Sequence, residues 1–300
     1  MNVIRIESLD DVALAPYARL TEAQLLNRLH PEAGLFICES LKVIRVALER
    51  GVVPVSFLCE EKHLECVNAL MCGDEVPVYT APREVLKSLT GYELSRGVLC
   101  CMRRPKLPTV ADVLNLRPSS EIDKSNKNMG SWMTPQAGDD GVRRVAVLDS
   151  VVNSENTGAI FRAAASLGMD AVLLTRTCCD PLNRRACRVS MGTVFQLPWT
   201  FIDGVKNGES GRENYPLALK EFGFETVAMA LTDRSVPIDA PELKRIKRMA
   251  VVLGTEGDGL SESVLRMADH VARIPMQQGV DSLNVAAAAA VAFWELSKQP

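Results

Sequence analysis

The chain has 300 residues, 47% hydrophobic and 24% charged, which provides apolar material for two ordinary cores and excludes a disordered polyelectrolyte. Its formal net charge of −3 excludes a uniformly basic nucleic-acid-coating protein and leaves any polyanion recognition to local patches. No run of about 18 apolar residues occurs, so no membrane span is predicted. The opening MNVIRIESLDD puts carboxylates where a secretory signal needs an apolar stretch, so a cytoplasmic home is expected.

Residues 1–105 read as a small α/β unit. Residues 22–29 predict a short helix and 34–38 a short buried strand. Ser40 then precedes 41–49, where Leu41, Ile44, Val46, Ala47 and Leu48 give an apolar helical face, and Gly51 closes that helix. Strands are predicted at 52–59, 76–79 and 97–101. From 106 to 141 the texture changes: Pro108, Pro118 and Pro135 punctuate a polar stretch, SSEIDKSNKNMGS. This is a linker or surface insertion, in which 110–116 reads as a helical turn or one more strand.

Residues 142–300 form a second α/β unit. Strands are predicted at 144–148, 171–175, 226–230, 250–253 and 271–274, with helices at 158–167, from about Leu260, and at 282–296. Short, wholly apolar strands alternating with helices imply a mostly parallel sheet covered on both faces. This half carries 18 Lys+Arg and 18 Asp+Glu. Within it Arg184, Arg185 and Arg188 form one basic cluster, and Lys244, Arg245, Lys247 and Arg248 another; each is either a solvated helix face or a phosphate-holding patch. Nine cysteines, an odd number with no C-x-x-C pair, predict reduced thiols and no metal site.

Ligands of such sheets bind beyond the strands' carboxyl ends, which singles out the loops 149–157, 254–259 and 275–281. The first runs DSVVNSENTGAIFR. Asn153 and Asn156 stand where they cap a helix, but Arg162 lies among Ala159, Ile160, Phe161, Ala163, Ala164 and Ala165. In a helix that reads as buried, its guanidinium needs an anionic partner or a route to water. A structural ion pair and a functional phosphate contact both meet that need. The second loop, VVLGTEGDGLS, has glycines spaced G-x-x-G-x-G, which fits neither a dinucleotide fingerprint nor a phosphate-binding P-loop. The third, IPMQQGVDSLNV, puts Ser282 and Asn284 at the mouth of the last helix. No G-x-S-x-G elbow supports a serine hydrolase.

Together these loops resemble the three signature motifs of SpoU (TrmH-like) methyltransferases of the SPOUT superfamily: N-x-x-N-x-G-x-I-x-R from Asn153 to Arg162, V-L-G-x-E-x-x-G-L from Val252 to Leu260, and I-P-M with S-L-N-V at 274–276 and 282–285. The intervening RRACRVSMGTVFQLPW resembles a further region of that family, and 34–61 resembles its ribosomal-protein-like RNA-binding domain. The resemblance implies a catalytic domain with a C-terminal deep trefoil knot. It implies S-adenosyl-methionine as methyl donor, held at Gly254, Glu256, Ile274, Met276 and Leu283. Catalysis of ribose 2′-hydroxyl methylation falls to Arg162, Asn156, Glu256, Ser282 and Asn284. RNA contacts are expected at Arg162 and at Arg184, Arg185 and Arg188. The expected substrate is large-subunit ribosomal RNA ahead of tRNA, the expected assembly a homodimer through the C-terminal domain, and no metal is required. A catalytically inactive RNA-binding protein of the same fold is the alternative.

Overall fold

The computed structural model describes residues 1–7, 11–71, 75–90, 97–114, 143–202, 214–277 and 282–297. The N-terminal sheet holds β1 (Asn2–Arg5), β2 (Leu35–Glu39), β3 (Pro54–Cys59), β4 (Pro77–Thr80) and β5 (Val98–Arg103) in the order β1-β4-β3-β5-β2. The pairs β1/β4 and β4/β3 are parallel, whereas β5 runs antiparallel to both β3 and β2. The Leu41–Glu49 helix covers one face with Val43, Ile44 and Ala47, and it ends where Gly51 takes the left-handed φ of 80°.

The second sheet is parallel throughout: β6 (Arg143–Leu148), β7 (Ala171–Leu174), β8 (Trp199–Phe201), β9 (Glu225–Met229), β10 (Val236–Pro237), β11 (Arg248–Leu253) and β12 (His270–Arg273). Their order is β10-β12-β9-β11-β6-β7-β8. Alternation along each strand sorts the apolar runs into two cores. Ala146, Leu148, Val172, Leu174, Val251 and Leu253 face one side, while Val145, Val147, Ala171, Leu173, Ala250 and Val252 face the other. Burial of both faces explains why these strands carry no polar alternation. The chain leaves β6 toward β7 and β8, then returns to build β9 and β11 on the opposite flank. The resulting switch point lies between β6 and β11, where the Asp149 N–H donates to the Leu253 carbonyl at 2.8 Å.

Residues 110–114 form a short helix, Val110–Leu114, and Val113 and Leu114 bury against the second sheet. Residues 115–141 of the proposed linker, and residue 142 after it, lie outside the described residues. The two units also share apolar contact. Phe36 of β2 and Phe195 stack at 5.9 Å between centroids, and buried Glu39 of β2 receives Arg184 (3.1 Å) and Arg188 (3.3 Å) from the Arg184–Val189 helix. Cys38, Cys59, Cys100, Cys101 and Cys187 are free and buried, and desolvation pushes the thiols of Cys59 and Cys101 up to about 12, so they stay protonated and inert. Cys72 lies outside the described residues. No helix among the described residues is long and apolar enough to cross a membrane.

Asp269 locks the start of β12 to β9. Partial burial pushes its carboxyl upward, but the Thr226 N–H and hydroxyl (both 3.0 Å) and Lys220 Nζ (2.9 Å) outweigh that and hold it below the usual range. Asp269→Ala leaves the N–H of fully buried Thr226 without its acceptor and is expected to cost about 1–3 kcal/mol in urea unfolding at neutral pH. A depressed carboxyl stabilises above its unfolded value of about 4 and loses that contribution as pH falls through the folded one. The gap between wild type and variant therefore narrows below about pH 4. A gap independent of pH would show that the charge is immaterial.

Candidate active site

Two asparagines start the two helices that frame the site. Asn153 Oδ1 accepts from the N–H groups of Glu155 (2.8 Å) and Asn156 (3.2 Å) and begins the Ser154–Ser166 helix. Asn284 Oδ1 accepts from Ala286 (3.0 Å) and Ala287 (3.4 Å) and begins the Val285–Leu296 helix, which packs along the first. Because capping occupies the Asn284 oxygen, its amide nitrogen remains as a donor. That nitrogen donates to Asn156 Oδ1 at 3.1 Å and to Glu256 Oε1 at 2.5 Å. One side chain thus joins the segments that follow β6, β11 and β12. Asn156 is buried while Glu256 and Asn284 are exposed, so the cluster opens to solvent. At its far end the last helix is anchored by Arg144, whose Nε donates to the Leu296 carbonyl at 2.9 Å.

The loop after β11 folds back on itself through a bridge between Thr255 and Gly259. A Cβ on buried Gly254 would stand 2.5 Å from the Gly259 carbonyl carbon and 2.7 Å from the Leu260 nitrogen, so only glycine permits this closure. Gly257 and Gly259 take φ values of 95° and 68° to complete the turn. Ile274 and Met276, after β12, are half-buried and Leu283 is exposed; residues 278–281 of the third loop lie outside the described residues.

Sequence reasoning missed a fourth loop. Because β9 inserts between β11 and β12, the residues after it, 230–235, must emerge between the second and third loops. There Ser235 accepts from Arg273 Nη1 through its carbonyl and through its hydroxyl, and Thr232 Oγ1 is buried with no hydrogen-bond partner among the described residues. An orphaned buried hydroxyl beside a glycine-lined loop is what a polar ligand satisfies. The only linear signal is the polar TDRS at a strand end.

Other expected site residues fall differently. Arg162 is exposed, not enclosed: its helix buries Ile160, Phe161 and Ala164 but turns the guanidinium to water, and it forms no hydrogen bond or ion pair among the described residues. Ser282 is also exposed, and among the described residues no hydrogen bond joins it to the Asn156–Asn284–Glu256 cluster. Arg184 and Arg188 converge on Glu39, and Arg185 pairs with Glu155 at 2.5 Å. The basic cluster thus ties the two units together and reaches the first loop, its three guanidinium groups sharing the carboxylates of Glu39 and Glu155.

A family model described as the SpoU rRNA Methylase family matches residues 143–294, a span that opens on the first residue of β6 and contains all three predicted loops. The chain belongs to the SpoU rRNA methylase family. It is 33% identical over 293 residues to an uncharacterized tRNA/rRNA methyltransferase of Mycobacterium bovis, covering 96% of this chain and 90% of that one. A 23S rRNA (guanosine-2′-O-)-methyltransferase of Bordetella pertussis is 29% identical over 160 residues, 53% of this chain and 61% of that one. The crystal structure of an AdoMet-bound rRNA methyltransferase from Sinorhizobium meliloti shares the fold, with a TM-score of 0.73 and 22% identity over 98% of this chain and 97% of that one. Membership in the SpoU family makes the protein a methyltransferase, and the residues brought together at Asn284 lie inside the family's matched region.

Proposed function

We propose that this SpoU protein methylates a ribose 2′-hydroxyl of large-subunit ribosomal RNA with S-adenosyl-methionine as donor, acting as a homodimer through its C-terminal domain. The observation that carries the reading is the double donation of Asn284 to Asn156 and Glu256, which unites the three signature segments. The donor fits the loops at 254–260, 230–235 and 274–276: glycine backbone allows close approach, and the Thr232 hydroxyl lacks a partner among the described residues. Gly254, Glu256, Ile274, Met276 and Leu283 would hold it, and when bound it supplies an electrophilic methyl group. The deep knot belongs to the same reading, supported by the contact of the C-terminal segment with both earlier motifs.

The remaining chemistry belongs to the chain. A ribose hydroxyl is a weak nucleophile at neutral pH, so it must be aligned for in-line attack and relieved of its proton. The exposed Arg162 guanidinium offers five donors to the neighbouring phosphate and to the developing alkoxide. Asn156, Glu256 and Asn284 form the polar wall that orients the sugar, with Ser282 at its mouth. Homodimerisation is supported by exposed apolar side chains around these segments: Val152 (67% exposed), Leu283 (41%), Val291 (40%) and Trp294 (60%).

Incubating the protein and labelled donor with unmodified ribosomal RNA and tRNA in parallel tests the substrate. Label confined to one position of large-subunit RNA is the expected result. Label confined to tRNA would replace the substrate while keeping the reaction. RNA binding without donor binding would favour a catalytically inactive RNA-binding protein.

A further inference from the structure

A cleft of about 1640 Å³ runs between the two units. One wall comes from the N-terminal unit and the strap that leaves β5; the other comes from the carboxyl ends of β6, β7, β8 and β11. Such a volume exceeds the roughly 300–1,000 Å³ of ordinary small-molecule pockets, so a methyl donor alone would not fill it. None of Asn156, Asn284 and Glu256 lines it, yet Thr255 and Asp258, on either side of Glu256, do. The cleft therefore reaches the loop that carries Glu256.

Its charge is uneven in a chain that is acidic overall. Arg28, Arg103, Lys106 and Arg176 line it as exposed cations. One of its four carboxylates is neutralised within the cleft. Asp180 pairs with Arg104 at 2.5 Å, and Asp149 accepts from the hydroxyls of Tyr215 (2.8 Å) and Ser150 (3.1 Å). Asp149, Glu32 and Asp258 keep their charge against the four cations, an excess of one positive charge. The Arg176 guanidinium lies 5.7 Å over the Phe201 ring, a flat cationic surface of the kind on which bases stack. The ion pairs from Arg184 and Arg188 to Glu39 hold the two walls in place, so the cleft is formed in advance of any ligand.

We propose that this cleft is the track for a single-stranded segment of the RNA substrate, with Arg103 and Lys106 on its phosphates and the Arg176 guanidinium, seated on Phe201, beneath a base. The proposal rests on the RNA-methylating reading given above. It assigns the recognition of flanking nucleotides to the strap after β5 and the loop after β7, away from the ion-paired Arg184, Arg185 and Arg188 cluster.

The test uses the full chain, a mixed-sequence single-stranded oligoribonucleotide followed by fluorescence anisotropy, and S-adenosyl-methionine followed by calorimetry. The combined Arg103→Ala, Lys106→Ala and Arg176→Ala variant is expected to bind the oligonucleotide at least about tenfold more weakly. Its salt dependence should also be shallower by at least about 1.4, at about 0.7 per lost phosphate contact, while donor affinity is unchanged. RNA affinity within about twofold of wild type, with the salt slope unchanged, overturns the proposal. Wild-type protein that binds the donor but no RNA overturns the parent reading, and this inference falls with it. If the triple variant does not fold, photocrosslinking of the wild type to thiouridine-bearing RNA decides: crosslinks at 103–107 and 175–180 support the track, and crosslinks confined to other surfaces refute it.

Discussion

Arg162→Ala is expected to lower the rate of methyl transfer by about 10²–10³-fold while S-adenosyl-methionine affinity and the melting temperature stay close to wild type, the loss typical when one donor to a developing oxyanion is removed. The side chain is exposed and makes no hydrogen bond or ion pair among the described residues, so truncating it opens no cavity and strands no buried partner. Exposed substitutions of that kind usually change stability by no more than about 0.5 kcal/mol. A lost rate therefore reports chemistry or RNA positioning. Arg162→Lys separates the two: it keeps the charge but not the planar fork, so a partial rescue assigns the arginine to bidentate phosphate contact. Full activity in Arg162→Ala, measured at saturating donor and RNA, would remove it from the site.

The second large effect is expected at Gly254. Gly254→Ala drives a Cβ against backbone atoms of Gly259 and Leu260 at 2.5–2.7 Å, and backbone cannot swing aside as a flexible side chain can. The loop must open, and donor affinity by calorimetry is expected to fall at least about tenfold, equivalent to about 1.4 kcal/mol. Gly257→Ala provides the contrast. A Cβ there meets nothing within 4 Å, so only the strain of a φ of 95° is felt, of the order of 1–2 kcal/mol. Donor affinity should suffer less in Gly257→Ala than in Gly254→Ala. Equal losses would mean that general loop strain, not closure on Gly254, governs the site.

Much of the C-terminal sheet was legible because parallel strands buried on both faces must be uninterrupted apolar runs, as at 145–148 and 250–253. Asn153 was legible as a cap for a local reason, since a cap is written within three residues of itself, but the helices expected at 158–167 and 282–296 begin at Ser154 and Val285, the second capped by Asn284. What could not be read is long-range. β1 has four exposed residues, β8 three residues and β10 two; each exists because a neighbouring strand offers an edge to pair with. The exposure of Arg162 depends on which side of its helix the sheet covers, and its alanine neighbours gave no clear stripe. The role of Arg184 and Arg188 depends on Glu39, about 145 residues away in the chain. The loop at 230–235 enters the site only because β9 lies between β11 and β12, an order that no local pattern encodes.

The central claim is the atom that receives the methyl group, and alkaline hydrolysis of the labelled RNA product tests it most directly. A 2′-O-methyl ribose lacks the hydroxyl that attacks the adjacent phosphodiester in base, so ribose methylation predicts that the label survives in alkali-resistant dinucleotides. Label released in mononucleotides carrying a methylated base would contradict the account.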